Sequence, residues 1–208
     1  MMRLRFPPPA ATLAVALALA ACTPVQAQGG GTSPARPAAT SARTTSHVEA
    51  DVHFVQGMIG HHRQALVMAA MAPTHGASER LQLLARKIDL SQRDEIATMT
   101  RWLQDRRLPL PGEHDHATMH MPGMLTDEQL AQLDGARGAE FDRLFLALMI
   151  QHHRGALTMV EQLFAAPGGG QEPELYGFAS DVDADQRAEI ERMQQMQSTL
   201  STPRSPSP

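Results

Sequence analysis

The chain has 208 residues, of which 42% are hydrophobic and only 4% aromatic, and it carries a formal net charge of −4. One Trp, one Tyr and no basic run exclude the basic, aromatic-studded surface of a nucleic-acid binder. A single cysteine excludes an intrachain disulfide and a thiolate metal cluster.

Arg3 and Arg5 precede an apolar run, Ala10 to Ala21, of signal-peptide length and too short to span a bilayer as a mature helix. The run ends in Leu19-Ala20-Ala21-Cys22, a lipobox. Residues 1–21 are therefore expected to be a lipoprotein signal, with Cys22 lipidated and the protein tethered to a membrane of the cell envelope, periplasmic or otherwise extracytoplasmic. Cleavage after Val25-Gln26-Ala27 is the competing reading. Loss of the signal takes the charge from −4 to −6, since Arg3 and Arg5 leave with it. Residues 22–46 are Gly, Pro, Ala, Ser, Thr and Gln for the most part and cannot bury a core, so they read as a flexible tether. Residues 201–208 read as a similar tail. What remains, 47–200, is the size of one domain.

That domain opens on Met58-Ile59-Gly60-His61-His62-Arg63-Gln64-Ala65-Leu66-Val67-Met68, and the box returns as Met149-Ile150-Gln151-His152-His153-Arg154-Gly155-Ala156-Leu157-Thr158-Met159. Eight of the eleven positions are identical. On a helix, Asp51, Phe54, Val55, Met58, His61, His62, Ala65 and Ala69 fall on one face, while Arg63 and Gln64 point elsewhere. The second copy repeats the stripe with Asp142, Phe145, Leu146, Met149, His152, His153 and Ala156. Pro73 and Gly76 end the first helix, and Pro167-Gly168-Gly169-Gly170 ends its counterpart. A second helix follows in each half, with Gln92, Glu95, Ile96 and Met99 matched by Gln186, Glu189, Ile190 and Met193. The copies are offset by 91 residues in the first helix and 94 in the second, which points to a three-residue insertion in the Gly-rich turn. Two hairpins that cannot bury their stripes alone predict an all-α, four-helix bundle with pseudo-two-fold symmetry, the two histidine pairs facing each other.

Between the halves, residues 106–125 form a linker in which six of the sixteen residues from Pro109 to Met124 are His or Met. The six are His114, His116, Met119, His120, Met121 and Met124. Thr126 or Asp127 caps a short helix after it. His47, His53 and His75 stand alone and read as surface residues.

Thioethers are soft donors that suit Cu(I), and imidazole suits copper in either state as well as Zn or Ni. A site drawing on Met58, His61, His62, Met68, Met149, His152, His153 and Met159 would favour copper, Cu(I) above Cu(II), with Ag(I) as a mimic. The linker residues would capture or relay ions. Adjacent histidines are awkward chelators of one ion on a straight helix, so each is expected to pair with a Met or His one turn away or on the facing helix. The bland alternatives are Met as core filling and the histidines as a buried hydrogen-bonded network or pH sensor. Glu95 and Glu189 are expected to hold histidine N–H groups, and Asp51 and Asp142 are candidates for the same role. Neither repeat carries the Glu-x-x-His of di-iron bundles. No hydrolase, phosphate-loop or metalloprotease motif is present, so no enzyme is expected, a copper-dependent redox activity being the catalytic alternative.

The doubled pattern of Asp, Phe, Met-Ile-x-His-His-x-x-Ala and then Gln-x-x-Glu-Ile-x-x-Met resembles the family called domain of unknown function 305, over about Val48 to Gln197. Met121-Pro122-Gly123-Met124 is similar to the element that precedes that family's second repeat. The resemblance implies a ferritin-like four-helix fold and an exported protein. It also implies a copper-binding role in copper tolerance, with copper-handling proteins as partners. One departure is visible: Gly60 and Gln151 stand where the family often has Pro.

Overall fold

The computed structural model describes residues 47–112 and 121–201. The expected lipidation site Cys22, the signal, the tether, the tail beyond Ser201, and the linker positions His114, His116, Met119 and His120 lie outside the described residues.

Five helices follow in order: α1 (Glu49–Met71), α2 (Glu79–Asp105), α3 (Asp127–Gly135), α4 (Gly138–Ala165) and α5 (Pro173–Ser201). Among the described residues there is no strand, and no helix is long and apolar enough to cross a membrane. Local signals set the boundaries. Ser78 Oγ accepts from the Leu81 amide at the start of α2, and Thr126 and Gln129 cap α3 reciprocally. Pro173 opens α5 earlier than the apolar pattern suggests, because a proline at the first helical position needs no amide partner and arrives with helical φ.

α1 pairs with α2, α4 with α5, and the two hairpins join through α1 against α4. Short α3 lies against α4 and α1. The repeat offset resolves differently from the sequence expectation. Pro73 and Pro167 are equivalent, as are Gly76 and Gly170, each pair standing 94 apart, and both glycines have φ near +65° (67° and 64°). Both interhelix connections, 72–78 and 166–172, therefore have the same length. The three extra residues precede Pro167 and lengthen α4 by nearly a turn, because it is the proline, not the glycines, that stops the helix.

Each first-helix aspartate grips the turn of the opposite hairpin. Asp51 Oδ1 accepts from the Gly170 amide at 2.7 Å, and Asp142 Oδ1 accepts from the Ser78 amide at 3.1 Å. Both carboxylates are buried, so these bonds satisfy turn amides that would otherwise lack a partner. The expectation that Asp51 and Asp142 would hold histidine rings is thus corrected: they hold backbone.

Buried apolar side chains form two separate clusters. One contains Met68, Leu81, Ile88, Phe141, Phe145, Met149 and Met193. The other contains Phe54, Met58, Met99, Leu103, Met159 and Val182. Each fully buried Leu, Met or Phe contributes about 1.5–3 kcal/mol. Between the clusters, every long helix turns polar at the same level: His61 and His62, Gln92, His152 and His153, and Gln186 with Glu189, all buried.

The segment Met121 to Met124 crosses α4 with backbone pressed to backbone. A Cβ added at Gly155 would sit 2.0 Å from the Pro122 carbonyl oxygen, and one at Gly123, where φ is +75°, would sit 2.6 Å from Gly155 Cα. The Gly155→Ala variant is therefore expected to lose about 2–3 kcal/mol of stability, read as a lower urea midpoint. Gly135→Ala, where nothing lies within 4 Å, serves as the control and should move stability by less than about 1 kcal/mol.

Candidate metal centre

α1 and α4 run antiparallel, and the repeat places their His-His pairs at the crossing. The His61 and His152 rings lie 3.8 Å apart between centroids, and each lies just over 6 Å from its neighbour in sequence (6.3 and 6.2 Å). Four imidazoles thus share one buried layer.

Each ring is anchored through Nε2. His61 Nε2–H donates to the Pro122 carbonyl at 3.1 Å, and His152 Nε2–H donates to the His61 carbonyl at 3.0 Å. His62 Nε2–H donates to Glu95, and His153 Nε2–H donates to Glu189 Oε2 at 2.7 Å. A carbonyl or carboxylate acceptor dictates the Nε2–H tautomer and leaves Nδ1 as the open atom. Among the described residues none of the four Nδ1 atoms has a hydrogen-bond partner, though all are buried. Both side-chain polar atoms of Gln92 and Oε1 of Gln186 are equally unpartnered there. Each such group costs about 1–3 kcal/mol. The two apolar clusters on either side supply the burial that offsets this.

Burial first, and then the neighbouring His62, push the His61 ring down from 6.5 to about 3. Burial, and then His61, His153 and His62, hold His152 well below 6.5. Both rings are therefore neutral near pH 7, with a lone pair on Nδ1. This is the state in which imidazole binds a metal, and the anchored Nε2–H is the arrangement that orients ligating histidines and raises their basicity.

Met58 and Met149 are fully buried and flank the layer from opposite sides, one in each apolar cluster, as the antiparallel repeat requires. Met68 is fully buried in the first cluster, which also holds Leu81, Leu84 and Phe145. The Met159 methyl and the Met121 sulfur both lie beside Gly57. Met124 is half-buried against the second cluster. Among the described residues, no three His, Cys, Asp or Glu side chains are gathered as a ready-made metal site.

Two residues escaped the sequence reading. Gln64, placed off the stripe by helical periodicity, is buried and clasps Leu125 at both backbone atoms (3.0 and 2.8 Å). The apolar Met121 to Leu125 segment, which needs a helix face to cover it, was the available signal. His75, read as a surface residue, is also buried. It donates through Nε2 to Asp134 and contacts Phe141, tying the first turn to the α3–α4 junction. A lone histidine next to a helix-ending turn gives no sequence sign of that.

The model of the family called Domain of unknown function (DUF305) matches residues 51–197. The chain belongs to this family. Its fold is shared by a putative secreted DUF305 protein from Streptomyces coelicolor, with 25% identity and a TM-score of 0.65, covering 76% of this chain and 98% of that one. A DUF305 fragment from Deinococcus radiodurans is 34% identical with a TM-score of 0.64, covering 73% and 97%. CopM in its Cu(I)-bound form is 31% identical with a TM-score of 0.59, covering 73% and 98%. CopM has also been solved with Cu(II) and with Ag. No curated protein sequence matches the chain.

The lowered histidines make the metal-free protein acid-labile. Above pH 6.5 neither folded nor unfolded chain protonates these rings. Below it the unfolded chain gains protons first, so stability falls. Each of His61 and His152 should contribute a slope of about 1.4 kcal/mol per pH unit as pH falls from 6.5 toward the folded pKa. Urea midpoints at pH 7.5 and 5.0 measure this, and equal stability at both would contradict the neutral, buried assignment.

Proposed function

We propose that this protein binds copper as cargo, Cu(I) in preference to Cu(II), and sequesters or buffers it at the cell envelope, contributing to copper tolerance. One observation carries the reading: four buried imidazoles, each anchored at Nε2 and each with an unpartnered Nδ1 among the described residues, lie in one layer between two buried thioethers. A cation shared by Nδ1 donors and the sulfur of Met58 or Met149 would satisfy atoms that otherwise remain costly. Nitrogen with thioether is a soft donor set that favours Cu(I) and Ag(I) over Zn(II). CopM, a structural neighbour solved with Cu(I), Cu(II) and Ag, supports copper as the ion.

The roles divide by residue. His61, His62, His152 and His153 donate nitrogen, and Met58 and Met149 donate sulfur. Glu95 and Glu189 fix the outer two rings, while the Pro122 and His61 carbonyls fix the inner two. The lipobox at Cys22 and the secreted description of the Streptomyces neighbour support an exported, membrane-anchored protein. We assign no catalytic activity.

Cu(I) titration against a competing chelator under reducing conditions, with melting followed alongside, tests this. Tight Cu(I) and Ag(I) binding with a raised Tm, and weaker Zn(II) binding, is the expected result. Binding no tighter than that of a free His-Met peptide leaves the layer purely structural. Glu189→Gln should weaken Cu(I) affinity about tenfold while helicity persists, as loss of an orienting partner does.

A further inference from the structure

A groove of about 420 Å³ runs beside α1 and α4, and its lining includes Glu49, His53, Phe54, Met121, Met159 and Gln162. Its floor is Gly57. A Cβ there would lie 3.3 Å from the Met159 methyl and 3.4 Å from the Met121 sulfur, so the two thioether ends converge over one bare point of the α1 backbone. Met159 comes from α4 and Met121 from the connecting segment, and both are almost buried, at 7% and 9% exposed. His53 stands one turn before Gly57 on the same face of α1 and is exposed to the groove. Among the described residues no hydrogen bond engages its ring. Glu49, one turn earlier again, adds a carboxylate at the rim.

Three elements thus bring two sulfurs and one imidazole to a single solvent-open groove. Met121 is not free to drift. The carbonyl of Pro122, the next residue, accepts from His61, and Gly123 is packed on Gly155. The same contacts put the groove one residue along the chain from the histidine layer.

We propose that His53, Met121 and Met159 form a second, outer site for a monovalent soft cation, Cu(I) or Ag(I), separate from the histidine layer. One nitrogen and two thioethers suit a low-coordinate d10 ion and disfavour hard divalent ions. The site rests on the reading of the protein as a soft-metal binder, but not on the four core histidines being ligands.

The test uses the full chain with 13C-labelled methionine methyls, titrated with Ag(I), which stays monovalent. Within one equivalent, the Met121 and Met159 methyl signals and the His53 ring protons are expected to shift together. The Met121→Leu/Met159→Leu variant, which keeps apolar volume, is expected to bind one Ag(I) fewer while the His61 and His152 ring signals still respond. Ag(I) binding with the Met121 and Met159 methyls unmoved overturns the outer site and leaves the soft-metal reading standing. Movement of Met121 without Met159 and His53 assigns the ion to the neighbouring segment and overturns the site as well. No Ag(I) uptake at all overturns both readings. The wild-type shifts decide the matter even if the double variant folds poorly.

Discussion

The structure turns on the hydrogen bonds that hold four imidazoles by Nε2 in the middle of an apolar bundle. Burying a ring nitrogen is costly, and here each helix contributes its polar residues at one level, so the cost is confined to a single layer. Above and below it the apolar clusters are ordinary helix packing. The layer sets the register of α1 against α4, because His152 reaches the backbone carbonyl of His61 itself. It also sets the register of each hairpin, because His62 meets Glu95 on α2 and His153 meets Glu189 on α5. Shifting any helix by one turn would break at least one of these anchors and leave a charged or polar group buried without a partner.

The same layer reaches the surface by a short path. His61 donates to Pro122, whose neighbours Met121 and Gly123 are fixed by Gly57 and Gly155 respectively. Gln64 completes the strap at Leu125. The segment from Met121 to Leu125 is therefore part of the histidine layer's wall and not a passive link between repeats. Three glycines in this small region each give up a side chain so that backbone or sulfur can come close. Where Gly57 stands, the space goes to thioethers. Where Gly155 stands, it goes to a carbonyl that orients a histidine.

Much of this was legible beforehand. The doubled His-His box, its helical period and the matching Gln and Glu on the second helices were enough to specify two hairpins and two buried, facing histidine pairs. Glu95 and Glu189 meet the histidines as their positions on the stripe implied. The turn amides that Asp51 and Asp142 hold were not legible, because they lie on the opposite hairpin, 119 and 64 residues away in sequence. Gln64 and His75 failed for a related reason: periodicity describes a helix against solvent, and both residues are covered by irregular segments whose path no period encodes.

By itself, the sequence determined which residues are apolar, polar or soft donors and at what helical spacing, and hence the repeat, the hairpins and the chemistry on offer. Tertiary structure alone decided which nitrogen of each histidine is occupied, which aspartate caps which turn, and that Met159 and Met121 both come to Gly57. Spacing along a helix fixes directions within that helix only. Partners across the bundle depend on how the hairpins cross and on where backbone can approach backbone, and both are set by packing the whole chain at once.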